Sequence, residues 1–244
     1  MPAALIPMAM KLVPQPFDNP DWLYEIKWDG FRMVAFLKEH QATLKSRNNK
    51  SLTRRFAQVK EELERFSINA VFDGEVVLLN DAGCADFSGL INSREGCLVY
   101  YVFDLPWYDG YDLTGVPLYR RREILKSILP KSNIIRFSDH LEAKGEQLFE
   151  HARLLKLAGI VAKHKNSLYY PGERSAHWLK IKTEVVVEAT IAGLLLDLDK
   201  PGSGFNSLVI GVEEEGGYKY IGLVEAGISK DALVEILSNA KATK

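Results

Sequence analysis

Cysteine is nearly absent from this 244-residue chain. The two present, Cys84 and Cys97, are too few and too isolated for a disulfide framework or a zinc site. A reducing, cytoplasmic compartment is the expected setting. No apolar run approaches the roughly 18 residues that a membrane-spanning helix needs, so no membrane partner is expected. The amino terminus has no basic stretch and is broken by Pro2 and Pro7, which makes it a poor secretion signal. Internal repeats are missing, and no part has the composition of a disordered segment. A strong basic excess is missing too: the net charge is only −1, so the whole chain does not advertise nucleic-acid binding.

The charge is unevenly placed. From Glu184 onward, five lysines and no arginine stand against ten acidic residues, a net of −5. The residues before carry 26 basic and 22 acidic side chains, a net of +4. A basic front and an acidic tail predict two units, 1–183 and 184–244. The 47% hydrophobic content supplies a proper core.

Periodicity places the elements. Trp22, Tyr24 and Ile26 alternate in a strand, Asp29-Gly30 reverses the chain, and Phe31–Leu37 runs out again. Ala42–Ser46 is a further strand. Ser51 is placed as the cap of a helix whose apolar stripe is Leu52, Phe56, Val59, Leu63 and Phe66. Strands follow at Ala70–Asn80 and Leu98–Asp104, separated by a polar loop, 81–96. Helices are expected over Leu118–Leu129, opening with Arg120, Arg121 and Arg122, and over Glu142–Leu157, stopped by Gly159. Strands Ile160–His164 and Trp178–Lys182 flank a turn at Tyr170-Pro171-Gly172. In the tail, Val185–Leu196, Ser207–Glu213 and Tyr218–Val224 read as strands, with a hairpin at 214–217. Ser229 caps a last helix, Lys230–Ala240.

Four features carry chemistry. Lys27 precedes a tight turn, with Glu25 and Asp29 two residues to either side and Arg32 beyond. Asp73-Gly74-Glu75 interrupts an apolar strand, and buried carboxylates are usually paired or bind metal. Phe103-Asp104 ends another strand, where the ring could stack on a base. Lys163, Lys180 and Lys182 alternate along apolar strands. Converging lysines suit a polyphosphate, and their like charge disfavours the ammonium form of a neighbour, the condition for a nucleophilic lysine.

In this order the pieces resemble a known family. Glu25–Arg32 resembles motif I (K-x-D-G-x-R) of the ATP-dependent DNA ligases and related covalent nucleotidyltransferases. Ser46-Arg47 resembles the short motif that follows it. Phe72–Glu75 is similar to motif III, Val102–Asp104 to motif IIIa, Gly159–Lys163 to motif IV and Arg174–Lys182 to motif V. The likeness covers about residues 5–183, with Pro16–Trp22 and Tyr170–Gly172 most like the ligase domain of bacterial end-joining enzymes. It implies an α+β nucleotidyltransferase fold, ATP-grasp-like, with largely antiparallel sheets flanked by helices. A truncated OB-fold β-barrel follows.

The resemblance implies three steps: Lys27 takes AMP from ATP, AMP passes to a 5′-phosphate at a nick, and the 3′-hydroxyl displaces it. It places Glu25 beside adenine, Arg32 and Glu75 at the ribose, and Phe103 against the base. Arg47 and Arg174 bind nucleotide or phosphate, and Lys180 and Lys182 hold the α-phosphate. Asp29 and Glu75 are the carboxylates for Mg²⁺ or Mn²⁺. Nicked double-stranded DNA is the implied partner, with end-joining proteins beside it, for a monomeric, nucleoid-associated bacterial enzyme. Arg54, Arg55 and Arg120–Arg122 are the expected contacts to the DNA backbone.

Two departures from the pattern matter. Ala158 stands where motif IV has a metal-binding glutamate, and no motif VI basic cluster follows. Both predict impaired adenylation. The competing expectations are an RNA ligase or other covalent nucleotidyltransferase, and a non-catalytic nucleic-acid-binding relative.

Overall fold

The computed structural model describes residues 1–183, 188–196, 205–214, 217–224 and 228–239. The chain divides into two compact units, Met1–Glu184 and Val185–Lys244. In the first, the strands are β1 (Ala9–Leu12), β2 (Trp22–Ile26), β3 (Phe31–Lys38), β4 (Gln41–Ser46), β5 (Ala70–Leu79), β6 (Cys97–Tyr108), β7 (Tyr111–Asp112), β8 (Ile135–Phe137), β9 (Leu141–Glu142), β10 (Ile160–His164) and β11 (Arg174–Ile181). Its helices are α1 (Ala57–Leu63), α2 (Phe87–Ile91), α3 (Leu118–Ile128) and α4 (Gly145–Leu154).

Alternation along β3 sets the layering. Met33, Ala35 and Leu37 join Phe56, Val59 and Leu63 of the α1 region and Leu125 of α3 in one core. Val34 and Phe36 point the other way, to Leu23, Phe103, Tyr169 and Trp178. A third core packs α4, through Ala152, Leu148 and Phe149, on Tyr24, Ile160 and Ile181. The order of layers is therefore α1 and α3, a six-stranded sheet, a five-stranded sheet, then α4. The six-stranded sheet runs β4-β3-β5-β6-β7 with β8 beside β6, and the five-stranded one runs β1-β11-β10-β2-β9. Pairing is antiparallel except for β1 with β11 and β6 with β8. Strands β3 and β5 are apolar on both faces because both faces are covered, each buried Val, Leu or Phe contributing about 1.5–3 kcal/mol. The two sheets face each other, and the candidate site lies in the cleft between them.

Several expected boundaries move. Ser51 caps no helix: it bridges to Lys45, and α1 begins only at Ala57. The buried stripe Phe56, Val59, Leu63 and Phe66 is nonetheless as expected. The polar loop contains α2, whose Gly89 amide is accepted by Asp86 Oδ1 at 2.8 Å. Helix α4 is shorter than expected because Leu141 and Glu142 pair with Tyr24 and Leu23 as β9. Its left-handed stop is Lys156, with φ 54°, while the Leu157 amide donates to Ala152 O. Strand β11 starts at Arg174, four residues before the expected Trp178, because its first half pairs with β1.

The second unit contains β12 (Thr190–Leu196), β13 (Phe205–Glu214), β14 (Gly217–Val224) and α5 (Lys230–Asn239). The three strands form an antiparallel meander. Ser229 Oγ accepts from the Ala232 amide at 3.1 Å and so caps α5. Residues 185–187 of the expected first strand, 215–216 of the hairpin turn and Ala240 of the helix lie outside the described residues. No helix among the described residues is long and apolar enough to cross a membrane.

Candidate active site

Lys27 follows the last residue of β2 and is half-buried. Its amide donates to Gly159 O at 2.9 Å, which fixes the lysine against the turn before β10. Two glycines allow this close fit. A Cβ on Gly30 would stand 2.0 Å from Val76 O, and one on Gly159, whose φ is 129°, would stand 2.0 Å from Ile181 O. Ala158 is half-buried immediately before Gly159.

Strand β11 brings the phosphate-type cations to the same place. The Lys180 ammonium is pushed below its ordinary pKa by burial, and then by the charges of Lys182, Lys27, Arg174 and Arg47 around it. Four of the expected cations thus share one electrostatic neighbourhood with the expected nucleophile. Arg47 and Arg174 are exposed, and Lys180 and Lys182 are half-buried. Arg174 also donates to Met10 O.

A cavity of about 100 Å³ leads inward from Lys27, lined by Glu25, Arg32, Glu75, Phe103, Val161, Lys163 and Trp178 among others. Arg32 does not stand loose at its mouth. It makes a bidentate pair with Asp73, Nε to Oδ1 and Nη2 to Oδ2, both 2.6 Å. Burial opposes its charge, but Asp73 more than compensates and holds the guanidinium firmly protonated. Tyr169 Oη donates to the same Asp73 at 2.6 Å. Glu75, opposite Arg32 in the β3–β5 register, is pushed up to about 7 by burial, against the pull of Arg32 and Lys27. Asp73 and Asp29 add repulsion there.

The inner end is a closed polar cluster. Glu25 is 2% exposed, and its Oε1 lies 2.8 Å from both Arg122 Nη1 and Lys163 Nζ. Glu25 Oε2 accepts from Ser138 Oγ at 3.2 Å, and that hydroxyl accepts from Trp28 Nε1 at 3.2 Å. The Lys163 ammonium sits 4.1 Å from the Phe103 ring centroid and 4.5 Å from that of Trp178. Burial lowers its pKa to about 8, although Glu25 pulls upward. The Arg32 guanidinium lies 4.5 Å from the Phe103 centroid, so that ring faces two cations.

The arginines of α3 overturn an expectation. Arg121 is fully buried in a bidentate pair with Asp104, 2.7 Å at each contact, and Arg122 is 3% exposed. Neither can reach a DNA backbone. The signal was in the sequence: Leu118, Arg121, Arg122 and Leu125 occupy the i, i+3, i+4 and i+7 positions of the buried stripe. Arg55 donates to Leu90 O and Ile91 O at the end of α2, and Arg120 pairs with Glu123 on the surface. Arg54 is exposed.

Asp29 is exposed near Glu75, and among the described residues no three His, Cys, Asp or Glu side chains converge as a metal cage. Two carboxylates beside this group of cations would fit a hydrated divalent cation that took its other ligands from a phosphorylated substrate.

The family model of the ATP dependent DNA ligase domain matches residues 6–182. The chain belongs to this family. The multifunctional non-homologous end joining protein LigD of Mycolicibacterium smegmatis is 30% identical over 217 residues, 88% of this chain and 28% of the relative. The chain therefore spans under a third of that relative's length. The SPbeta prophage-derived DNA ligase-like protein LigB of Bacillus subtilis is 30% identical over 193 residues, 77% of this chain and 70% of the relative. The solved structure of a mycobacterial DNA ligase D complexed with ATP and MES superposes with a TM-score of 0.71 at 28% identity, covering 96% of this chain and 76% of that one. As in that family of ligase domains, mixed sheets and flanking helices frame the cleft.

Proposed function

We propose that this ligase-family chain seals 5′-phosphate/3′-hydroxyl nicks in double-stranded DNA through a lysyl-AMP intermediate at Lys27. The observation that carries this is the gathering of Lys27, Lys182, Arg47 and Arg174 around Lys180, beside a slot lined by Lys27, Glu25 and Phe103. The slot suits a purine: a carboxylate to accept from its amino group, a ring to stack on, and Arg32 and Glu75 toward the ribose. The outer cations suit the phosphates. The Lys27 amine attacks the α-phosphorus of ATP, the N–P bond forms, the bond to pyrophosphate breaks, and the lysine loses a proton. The DNA 5′-phosphate next takes AMP from Lys27, and the 3′-hydroxyl then displaces AMP and closes the strand. Catalysis here is positioning and charge neutralisation. Asp29 and Glu75 are the side chains that would hold Mg²⁺ or Mn²⁺, which would neutralise the pyrophosphate leaving group.

The three strands and helix of the second unit support reading it as part of an OB-fold that contacts DNA. The likeness to LigD supports a role in bacterial end joining, as a monomer acting beside other repair proteins at the nucleoid. Ala158 gives a specific reason for a slow first step, since the turn beside Lys27 carries a methyl group in place of a carboxylate. The deciding experiment is mass spectrometry after incubation with ATP and Mg²⁺ or Mn²⁺. An AMP adduct on Lys27 is expected; a chain that stays unmodified at every ATP concentration overturns the reading.

A further inference from the structure

We propose that Arg122 is the positioning residue of the base pocket, holding Glu25 and Phe103 in the arrangement that selects an adenine ring over guanine. This deepens the ligase reading and depends on that reading's placement of the base.

Arg122 reaches from α3 into the gap between the two sheets. Nη1 donates to Glu25 Oε1 at 2.8 Å and to Phe103 O at 3.0 Å. Nη2 donates to Ser138 O at 2.6 Å and lies 3.0 Å from His140 Nδ1. Glu25 belongs to the five-stranded sheet and Phe103 to the six-stranded one. One planar fork thus ties the two walls of the base slot together. A lysine, with a point charge on a flexible stem, cannot reproduce that geometry.

The chemistry of selection follows from how Glu25 is held: Oε1 accepts from Arg122 and faces Lys163, and Oε2 accepts from Ser138, so the fixed side chain presents acceptor oxygens to the slot. Adenine offers an amino donor at C6, whereas guanine offers a carbonyl oxygen, which a fixed carboxylate repels. His140 completes the anchor. A guanidinium only donates, so Nδ1 must accept and the ring proton sits on Nε2. Burial, and then Arg122, keep the His140 pKa low, in keeping with a neutral ring.

Arg122 also lines an outer cleft of about 400 Å³, together with Tyr119, Lys126, Phe137, His140 and Lys165. Its pair with Glu25 therefore forms the partition between that cleft and the inner cavity. Truncation of Arg122 opens this partition to solvent, which makes the site accessible to a small cation.

The test compares the unaltered chain with Arg122→Lys and Arg122→Ala, each first shown to melt cooperatively. Calorimetry gives the affinity for ATP and for GTP, and mass spectrometry gives the Lys27 adduct with each. The unaltered chain is expected to prefer ATP. Arg122→Ala should lose about tenfold to a hundredfold of that preference, most of it as weaker ATP binding. Arg122→Lys should recover only part, and millimolar guanidinium should restore preference to the alanine variant alone. A purely stabilising role predicts lower melting temperature with the ATP:GTP ratio unchanged, and that result overturns the proposal. If Arg122→Ala does not fold, an unchanged ratio in Arg122→Lys overturns it equally. A chain that binds ATP selectively but never labels Lys27 refutes the ligase reading and leaves Arg122 to be judged on the binding ratio. A chain that binds neither nucleotide refutes both.

Discussion

At the inner end of the site, Glu25 is tied to Arg122, Lys163 and Ser138, and Ser138 to Trp28, before any ligand arrives, while Arg122 Nε and Lys163 Nζ are buried without a hydrogen-bond partner among the described residues. At the outer end, Lys180, Lys182, Arg47 and Arg174 crowd like charges beside Lys27 at half-buried and exposed positions. The inner end has fixed geometry, with one carboxylate held between two cations, which is what reading a base requires. The outer end holds electrostatic repulsion that an incoming triphosphate relieves, which favours binding and the transfer of charge from ATP to pyrophosphate. Substitutions at the two ends should therefore fail differently. Outer changes should cost turnover, and inner changes should cost stability or selectivity.

The largest effect expected is at the outer end. Lys27→Ala should abolish the AMP adduct, and Lys180→Ala should slow its formation by about 10²–10³-fold, with little change in melting temperature. Quench-flow labelling beside a thermal melt would show the split. Equal losses in both measurements would erase the distinction between the ends. Next is the inner scaffold. Asp104→Asn leaves Arg121 buried without its anion, and the expected cost is about 3–5 kcal/mol of stability, read from urea melts. The converse prediction concerns Ala158→Glu, which adds a carboxylate to the outer end. Adduct formation at low Mg²⁺ should rise by about ten- to a hundredfold. An unchanged rate would mean that the turn before Gly159 does not reach the metal.

The outer end was largely legible in the sequence because it is built from short contiguous motifs. Lys27, Lys180 and Lys182 sit in runs whose alternation fixes the facing, Arg47 and Arg174 sit in short motifs, and the fold brings these runs together. The inner end was not, because its partners are distant in the chain: Arg122 to Glu25 spans 97 residues and Arg32 to Asp73 spans 41. The spacing of Arg121 and Arg122 matches the buried stripe of α3, but their carboxylate partners, Asp104 and Glu25, are not readable from that spacing. The start of α4 fails in the same way, since its Glu146 amide is capped by Asp18, 128 residues upstream. Local spacing reports which face a residue occupies, but it does not report what waits opposite.

The smallest effect tests the inner end through its proton balance. Lys163 has a folded pKa of about 8 against an ordinary value of 10.5. Below about pH 8 both the folded and the unfolded chain hold this proton, and the buried ammonium weighs against folding. Between about 8 and 10.5 the unfolded chain binds more protons than the folded one, so stability should rise with pH. The slope from this group approaches about 1.4 kcal/mol per pH unit. Lys180, also lowered, adds to the slope in the same direction, while the raised tyrosines act only nearer pH 10 and oppose it. Lys163→Met removes the titrating group yet leaves Glu25 paired with Arg122. Urea melts between pH 7.5 and 9 should therefore show a clear upward slope for the unaltered chain and a much shallower one for Lys163→Met. Parallel slopes would place the charge of Lys163 in contact with water, and the inner end would then be no more closed than the outer one.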